Sequence, residues 1–134
     1  MQILSLLFSE LGKGRRILVA DDIPTNQKLA RTLLTRLGCT VDIASSGREA
    51  ITLASQNVYD IIFMDCQMPD IDGYEATLEI RRNETKRVKI FALTASVLDN
   101  DRRRCAASGM DGYLSKPFRS SDFATVLHGL FHTT

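Results

Sequence analysis

The stretch YDIIFMD, residues 59–65, is the most informative local pattern in the sequence. Its centre is an apolar run that includes the β-branched Ile61 and Ile62, which favours a strand buried on both faces. Such strands occur in parallel sheets that helices cover on both sides. An aspartate, Asp65, ends the stretch, so the pattern predicts a buried strand over residues 59–64 with a carboxylate at its carboxyl end.

Short apolar runs on either side of this stretch alternate with helical patterns. Apolar residues at helical spacing mark the helices, and Gly38 and Gly109 are typical helix stops. The predicted strands are residues 17–20, 40–44, 59–64, 88–93 and 112–115, and the predicted helices are residues 24–37, 47–54, 73–82, 99–108 and 121–131. This alternation predicts an α/β fold, a doubly wound (βα)5 sandwich around one parallel five-stranded sheet.

The composition is that of one ordinary globular domain. The chain has 134 residues, of which 44% are hydrophobic and 25% charged, and its net charge is +1. This balance gives no electrostatic argument for nucleic acid as a partner, and no apolar run reaches the roughly 18 residues that a membrane span needs. Three well separated cysteines favour a reducing compartment, so we expect a cytoplasmic protein without a disulfide framework.

The first 14 residues stand outside the alternating pattern. Two glycines at positions 12 and 14 predict a hinge between an N-terminal extension, residues 1–14, and a domain over residues 15–134. Three interpretations of the extension stay open: a linker from a preceding domain, a helix that pairs with a second copy in a homodimer, or disorder. The leucines that could form such a helix are Leu6, Leu7 and Leu11.

Polar side chains follow four of the predicted strands. Asp21 and Asp22 follow the first, Asp65 the third, Thr94 the fourth and Lys116 the fifth. In an open parallel sheet the carboxyl ends of the strands meet at one edge, where ligands bind. Carboxylates held together repel one another unless a cation shares the site, and Mg²⁺, with Mn²⁺ as the alternative, suits carboxylates, water and phosphate oxygens. The formal charges of the carboxylates, Mg²⁺ and Lys116 cancel, which favours transfer of a phosphoryl group to an aspartate.

Four motifs surround these polar residues: VADD (19–22), MDCQMPDIDGYEA (64–76), ALTAS (92–96) and GYLSKPF (112–118). In this order and spacing, they resemble the receiver domain of two-component response regulators over about residues 15–131. The stretches at residues 21–27 and 106–118 most resemble receivers attached to hybrid sensor histidine kinases. The resemblance implies the flavodoxin-like strand order 2-1-3-4-5.

The resemblance implies roles for the acidic residues. Asp65 would accept the phosphoryl group, Asp22 would bind Mg²⁺ directly, and Asp21 would reach the ion mainly through water. Gln67 would offer its backbone carbonyl to the ion. Gln67 and Ser96 occupy the positions that, in this family, tune how fast the phosphoryl group is lost by hydrolysis.

Four further residues acquire roles from the same resemblance. Thr94 and Lys116 would bind the phosphoryl oxygens, and Tyr113 would be the switch aromatic that moves inward with Thr94. The Lys116–Pro117 peptide bond would be cis, a conformation found almost only before proline.

The implied function is signal relay. A histidine kinase or a histidine phosphotransfer protein would donate the group to Asp65, and the domain would catalyse only its own phosphorylation and dephosphorylation. We expect a piece of a hybrid histidine kinase, itself a transferase, with a free-standing single-domain regulator as the alternative. Contacts with nucleic acid or membrane are not expected.

Two rival functions fit the sequence less well. A Mg²⁺-dependent phosphatase with an aspartyl-phosphate intermediate would need a second acidic residue two positions after Asp65, where the chain has Gln67. An interaction module with an inactive site would not need the acidic residues, Thr94 and Lys116 all in place.

Three other patterns have ordinary structural interpretations. Residues 70–72 half-match a calcium loop, but Met68 would be its first ligand, so we reject that interpretation. His128 and His132 are expected to be solvated rather than metal ligands. The basic run at residues 102–104 predicts a solvated helix face, with a docking site for an acidic partner as the alternative.

Overall fold

The computed structural model describes residues 9–95 and 98–132. From residue 16 onward, five strands alternate with five helices, which confirms the predicted (βα)5 architecture. Leu6, Leu7 and Ser96 lie outside the described residues, so the expectations about them stay predictions. The elements are β1 Arg16–Ala20, α1 Pro24–Arg36, β2 Thr40–Ala44, α2 Gly47–Gln56, β3 Ile61–Asp65, α3 Gly73–Asn83, β4 Lys89–Thr94, α4 Asp99–Ser108, β5 Gly112–Ser115 and α5 Ser120–Phe131.

The strands form one parallel sheet in the order β2-β1-β3-β4-β5, as expected. Strand β3 lies at the centre, and all of its residues are buried. It begins two residues later than the sequence predicts, because Tyr59 and Asp60 make other contacts. The Tyr59 hydroxyl donates to Asp42 (2.7 Å), and the Asp60 carboxylate accepts from the Arg16 backbone N–H (2.8 Å).

Alternate residues of the central strands enter two apolar cores, one on each face of the sheet. The α1/α5 core contains Ile61 and Phe63 of β3 with residues of α1 and α5, and the ring of Phe123 meets that of Phe63 edge-on at 4.9 Å between centroids. The α2/α3/α4 core contains Ile62 and Met64 with residues of α2, α3 and α4. Packing on both faces fixes β3, and with it the position of Asp65 at its end.

The acidic loop after β3 supplies helix caps. The Asp72 carboxylate accepts from the Glu75 N–H at the start of α3 (2.9 Å). Asp70 reaches further and accepts from the first N–H groups of α2, those of Gly47 (3.1 Å) and Arg48 (2.9 Å). These contacts satisfy helix N–H groups that have no partner inside the helix. Both aspartates of the half-matching calcium pattern therefore have structural roles.

Part of the N-terminal extension contacts the domain. The backbone N–H of Gly12 donates to the Leu37 carbonyl (2.7 Å), and Leu11 packs against the α1/α5 core. The Leu11 carbonyl lies 2.7 Å from Nε2 of the exposed His132. Gly14 adopts a left-handed conformation (φ +77°), which glycine tolerates best. The boundary at residue 15 stays a prediction.

Helices in the described part of the chain are each too short or too polar to cross a lipid bilayer.

A partly buried ion-pair network links α3 to the strands β4 and β5. The Arg81 guanidinium, whose side chain is 12% exposed, binds Asp111 and Glu84, each at 2.9 Å. It also donates to the backbone carbonyls of Val88 (2.6 Å) and Gly109 (2.9 Å). Because Gly109 and Asp111 lie 28 and 30 residues further along the chain, Arg81 holds the turn before β5 against α3.

Asp111 is the acidic centre of this network. Its carboxylate accepts from the Ile90 N–H (2.8 Å) and from Arg87 (2.8 Å) as well as from Arg81. Burial raises the pKa of Asp111, but the Ile90 hydrogen bond and the two arginine charges outweigh burial and leave the pKa below its ordinary value of 3.8.

We expect Asp111→Asn to lower the free energy of unfolding by about 1–3 kcal/mol at pH 7, because Arg81 loses its charged partner. A lowered folded-state pKa stabilises the protein above the unfolded value of 3.8, and this gain is lost as pH falls through the folded-state pKa. The difference between the wild type and the variant should therefore shrink in acid. Urea unfolding between pH 7 and pH 3 measures it.

Glu79→Gln is the matched control, since it removes an ion pair with Arg82 whose side chain is 70% exposed. Exposed pairs contribute little, so a change below about 0.5 kcal/mol is expected. Equal effects of the two substitutions, or a pH-independent effect of Asp111→Asn, would contradict the role given to the network.

Candidate functional site

The fold brings together the three aspartates that the sequence placed at strand ends. Asp21 and Asp22 follow β1, Asp65 ends β3, and one carboxylate oxygen from each lies within 4.8 Å of the others. Asp21 is fully buried, Asp65 is 3% exposed and Asp22 is partly exposed. Charges held so close together away from water repel one another strongly. The arrangement therefore favours binding of a cation.

Lys116 supplies positive charge to this cluster from the loop after β5. Its Nζ lies 3.0 Å from Oδ2 of Asp65 and 3.6 Å from Oδ2 of Asp21. The first distance is that of a charge-assisted hydrogen bond, whereas the second is an ion pair too long for a hydrogen bond. One ammonium group cannot balance three carboxylates, so the cluster keeps an excess of negative charge.

The two oxygens of Asp21 differ in their partners. Oδ1 accepts from the Ile23 backbone N–H (2.9 Å). Oδ2 is buried and accepts no hydrogen bond from any residue in the ranges 9–95 and 98–132. A buried acceptor left without a hydrogen bond costs about 1–3 kcal/mol, and a hard divalent cation or its bound water would supply the missing partner.

The Asp65 carboxylate is held on both sides. Its Oδ1 accepts from the Gln67 backbone N–H (3.2 Å), and Lys116 binds Oδ2. Burial raises the pKa of Asp65, and the Gln67 N–H and Lys116 counteract only part of that increase. The side chain of Gln67 is exposed, and its N–H bond to Asp65 places its backbone beside the carboxylate.

Thr94 and Tyr113 lie on the same face of the sheet, on the neighbouring strands β4 and β5. Thr94, which is buried, pairs in register with Ser115, and Tyr113 pairs with Ala92. The partly exposed ring of Tyr113 packs against the α2/α3/α4 core. The N–H of Lys116 donates to the Thr94 carbonyl (2.7 Å), so the backbone joins the hydroxyl and the ammonium groups of the site.

The Lys116–Pro117 peptide bond is cis in the structure. The structure thus brings together Asp21, Asp22, Asp65 and Lys116 through side-chain contacts, and Gln67 and Thr94 through backbone contacts.

The sequence reasoning missed Gly73, which fixes the backbone at the acceptor strand. Its N–H donates to the Cys66 carbonyl (3.1 Å), and a Cβ at this position would overlap the Asp65 carbonyl oxygen. The loop between Asp65 and α3 therefore closes only with glycine at its end. A glycine at the start of a helix is a weak signal, because glycine is also common near helix caps.

The basic run of α4 is more than the solvated face that the sequence predicts. The Arg102 guanidinium lies over the ring of Tyr113 (5.3 Å to the centroid). Arg104 lies over the ring of Tyr74 (4.1 Å) and forms an ion pair with Asp72 (3.1 Å). These aromatic partners come from other elements, so no local sequence pattern identifies them.

Comparison with known proteins identifies the same family over most of the chain. The family described as "Response regulator receiver domain" matches residues 17–128. The sensor protein GacS of Pseudomonas syringae pv. syringae is 40% identical over 119 residues, which cover 86% of this chain and 13% of that protein. The chain spans only 6–15% of the length of the curated histidine kinases that it matches.

Solved structures of receiver domains also match this chain. The receiver domain of the sensor histidine kinase PA1611 from Pseudomonas aeruginosa PAO1, with a magnesium ion in its active-site cleft, is 42% identical with a TM-score of 0.80. The alignment covers 87% of this chain and 96% of that chain. A second match is the Saccharomyces cerevisiae complex of the histidine phosphotransfer protein Ypd1 with the receiver domain of Ssk1, at 28% identity and a TM-score of 0.80. The alignment covers 87% of this chain and 88% of that chain.

We expect Gly73→Ala to lower the free energy of unfolding by about 1–3 kcal/mol, because the added methyl group displaces the Asp65 backbone. Gly129→Ala is the matched control, since the Cβ that it adds to α5 meets no described heavy atom within 4 Å outside the nearby backbone of that helix and its two chain neighbours. The control should stabilise the protein by about 0.5–1 kcal/mol, as alanine favours helices over glycine. Urea unfolding of both variants measures this, and equal changes would show that position 73 has no special constraint.

Proposed function

This chain belongs to the receiver domain family of two-component response regulators, and on that basis we propose that Asp65 is its phosphoacceptor in a phosphorelay. The observation that most supports the proposal is the position of Asp65. One of its carboxylate oxygens lies within 4.8 Å of oxygens of Asp21 and Asp22, and its Oδ2 lies 3.0 Å from Nζ of Lys116. A phosphoryl group on Asp65 would therefore have a cation site and an ammonium group beside it.

We propose that Mg²⁺ is the cation, with Mn²⁺ as the alternative. Asp22, Asp65 and the Gln67 carbonyl would hold the ion directly, and Asp21 would hold it mainly through bound water. The donor set is the hard oxygen set that Mg²⁺ prefers, and the buried Oδ2 of Asp21 accepts no hydrogen bond from the described residues. When bound, Mg²⁺ supplies the positive charge that the incoming phosphoryl oxygens need.

The chain's own residues account for the transfer step. A carboxylate oxygen of Asp65 attacks the phosphorus of a phosphohistidine, a P–O bond forms, and the P–N bond breaks with its electron pair returning to the imidazole. Lys116, now 3.0 Å from Asp65, pairs with the phosphoryl oxygens, and the Thr94 hydroxyl donates a hydrogen bond to them. Gln67 donates its backbone N–H to the remaining Asp65 oxygen.

Thr94 and Tyr113 couple phosphorylation of Asp65 to a change at the surface of the domain. A hydroxyl bound to the phosphoryl group moves toward Asp65, and the ring of Tyr113, on the same sheet face, follows it inward. Phosphorylation thereby favours one of two surface states. The group later leaves by hydrolysis or by transfer to a second histidine, so the domain is a self-modifying relay component rather than an enzyme acting on other substrates.

We propose a histidine kinase or a histidine phosphotransfer protein as the partner. The match to the Ypd1–Ssk1 complex supports this class, and the hybrid histidine kinases among the relatives support a hybrid kinase as the parent protein. The receiver domain of this parent protein would span residues 15–134. It would lie in the cytoplasm, where the thiols of the three buried free cysteines stay reduced. A homodimer through residues 1–14 stays a prediction, and the described residue Leu11 packs on its own domain.

Incubation with acetyl phosphate and Mg²⁺, followed by intact mass measurement, tests the proposal. The wild type should gain one phosphoryl group, and chelation of the ion should abolish the gain. Asp65→Asn should gain none, since an amide is not a nucleophile for this reaction. Asp72→Asn is the matched control, because an asparagine can still cap α3, and it should be phosphorylated like the wild type. An equal adduct on Asp65→Asn would refute the assignment of Asp65.

A further inference from the structure

The ring of Tyr113 is covered by a cation from a neighbouring helix. The guanidinium of Arg102, on α4, lies 5.3 Å from the ring centroid, within the distance at which cation–π attraction is effective. Arg102 is exposed, and Tyr113 on β5 is partly exposed. The contact therefore lies at the edge of the α2/α3/α4 core, with Arg102 at the surface.

Helix α4 has few other means of attachment. Among its described side chains only Cys105 and Ser108 are buried, so its apolar contact with the domain is small. Two arginine–tyrosine contacts lie on its flanks, Arg102 with Tyr113 of β5 and Arg104 with Tyr74 of α3. Tyr113 lies on β5, which pairs with the strand β4 that contains Thr94, whereas Tyr74 lies on α3.

The two neighbours of the Tyr113 ring differ in exposure, since Arg102 is at the surface and Thr94 is buried. Thr94 and Tyr113 lie on the α2/α3/α4 face of the sheet, because Ala92 and Thr94 flank Leu93, which enters the α1/α5 core, and Tyr113 is the register partner of Ala92. Thr94 is buried, whereas Arg102 is exposed. The contact with Arg102 therefore favours the surface position of the Tyr113 ring over a position closer to Thr94.

We propose that Arg102 is a positioning residue that holds the Tyr113 ring at the surface and so opposes the change that phosphorylation produces. The inference rests on the proposed function, since it concerns how the same site is regulated. Loss of the Arg102 contact should shift the equilibrium toward the state with the ring inward. A ligand that prefers that state should then bind more tightly.

Beryllofluoride with Mg²⁺ is a suitable probe, because it mimics a phosphoryl group without a covalent bond. Arg102→Gln removes the cation, and we expect its apparent dissociation constant for beryllofluoride to be about two- to fivefold lower than that of the wild type. Arg103→Gln is the matched control, since Arg103 is exposed on the same helix and contacts no residue of the ranges 9–95 and 98–132 through a ring, ion pair or hydrogen bond. The control removes the same charge and should leave the constant unchanged.

A spectroscopic readout separates positioning from a loss of stability. The chain has three tyrosines and no tryptophan, so 3-fluorotyrosine labelling gives a simple ¹⁹F spectrum in which Tyr113→Phe identifies the Tyr113 signal. In Arg102→Gln without beryllofluoride, this signal should move toward its position in the saturated wild type. Arg103→Gln should not move it. An unmoved signal in Arg102→Gln would overturn the proposal.

A double-mutant cycle with Tyr113→Leu tests whether Arg102 acts through the ring. If it does, Arg102→Gln changes beryllofluoride affinity in the wild type and has no effect once the ring is gone. An equal effect in both backgrounds would overturn the proposal. Failure of the proposed function gives a different result, because then the wild type itself would bind no beryllofluoride in the presence of Mg²⁺.

Discussion

Electrostatic repulsion among three carboxylates is the constraint on which this structure depends. The backbone holds Asp21, Asp22 and Asp65 within a few ångströms of one another, and Lys116 is the one cation among residues 9–95 and 98–132 that forms an ion pair with them. Such an arrangement survives because β1 and β3 are fixed by burial on both faces of the sheet. The cores thus supply the free energy that keeps an unfavourable set of charges together, and the excess negative charge gives the site its affinity for a cation.

The same constraint connects the site to the surface. Strand β4 and the loop after β5 place Thr94 and Lys116 at the edge of the cluster, and a short backbone hydrogen bond links the two residues. Any group that binds Lys116 and Thr94 therefore acts on the strands that lie beneath α4. Since α4 buries few of its side chains, small changes at the strand ends can alter the surface without disrupting the cores.

The sequence alone predicted the architecture, since apolar runs that alternate with helical patterns depend on local composition, and the strand order followed from the family resemblance. It also predicted which polar residues meet, because parallel strands present their carboxyl ends at one edge. It did not predict contacts between distant segments. Asp70 capping α2, Gly73 against the Asp65 backbone, and Arg102 over Tyr113 each depend on tertiary packing. The late start of β3 has the same origin, since Asp60 bonds to Arg16 of another strand.

A Mg²⁺ titration followed by backbone amide NMR tests the central claim, that the carboxylate cluster is a cation site. The account predicts saturable shifts, described by one site, that are largest for the amides bonded to the cluster, those of Ile23 and Gln67. Shifts that do not saturate, or that centre on the exposed acidic residues of α3, would contradict it. In that case the repulsion at the edge of the sheet would be relieved by some means other than a bound ion.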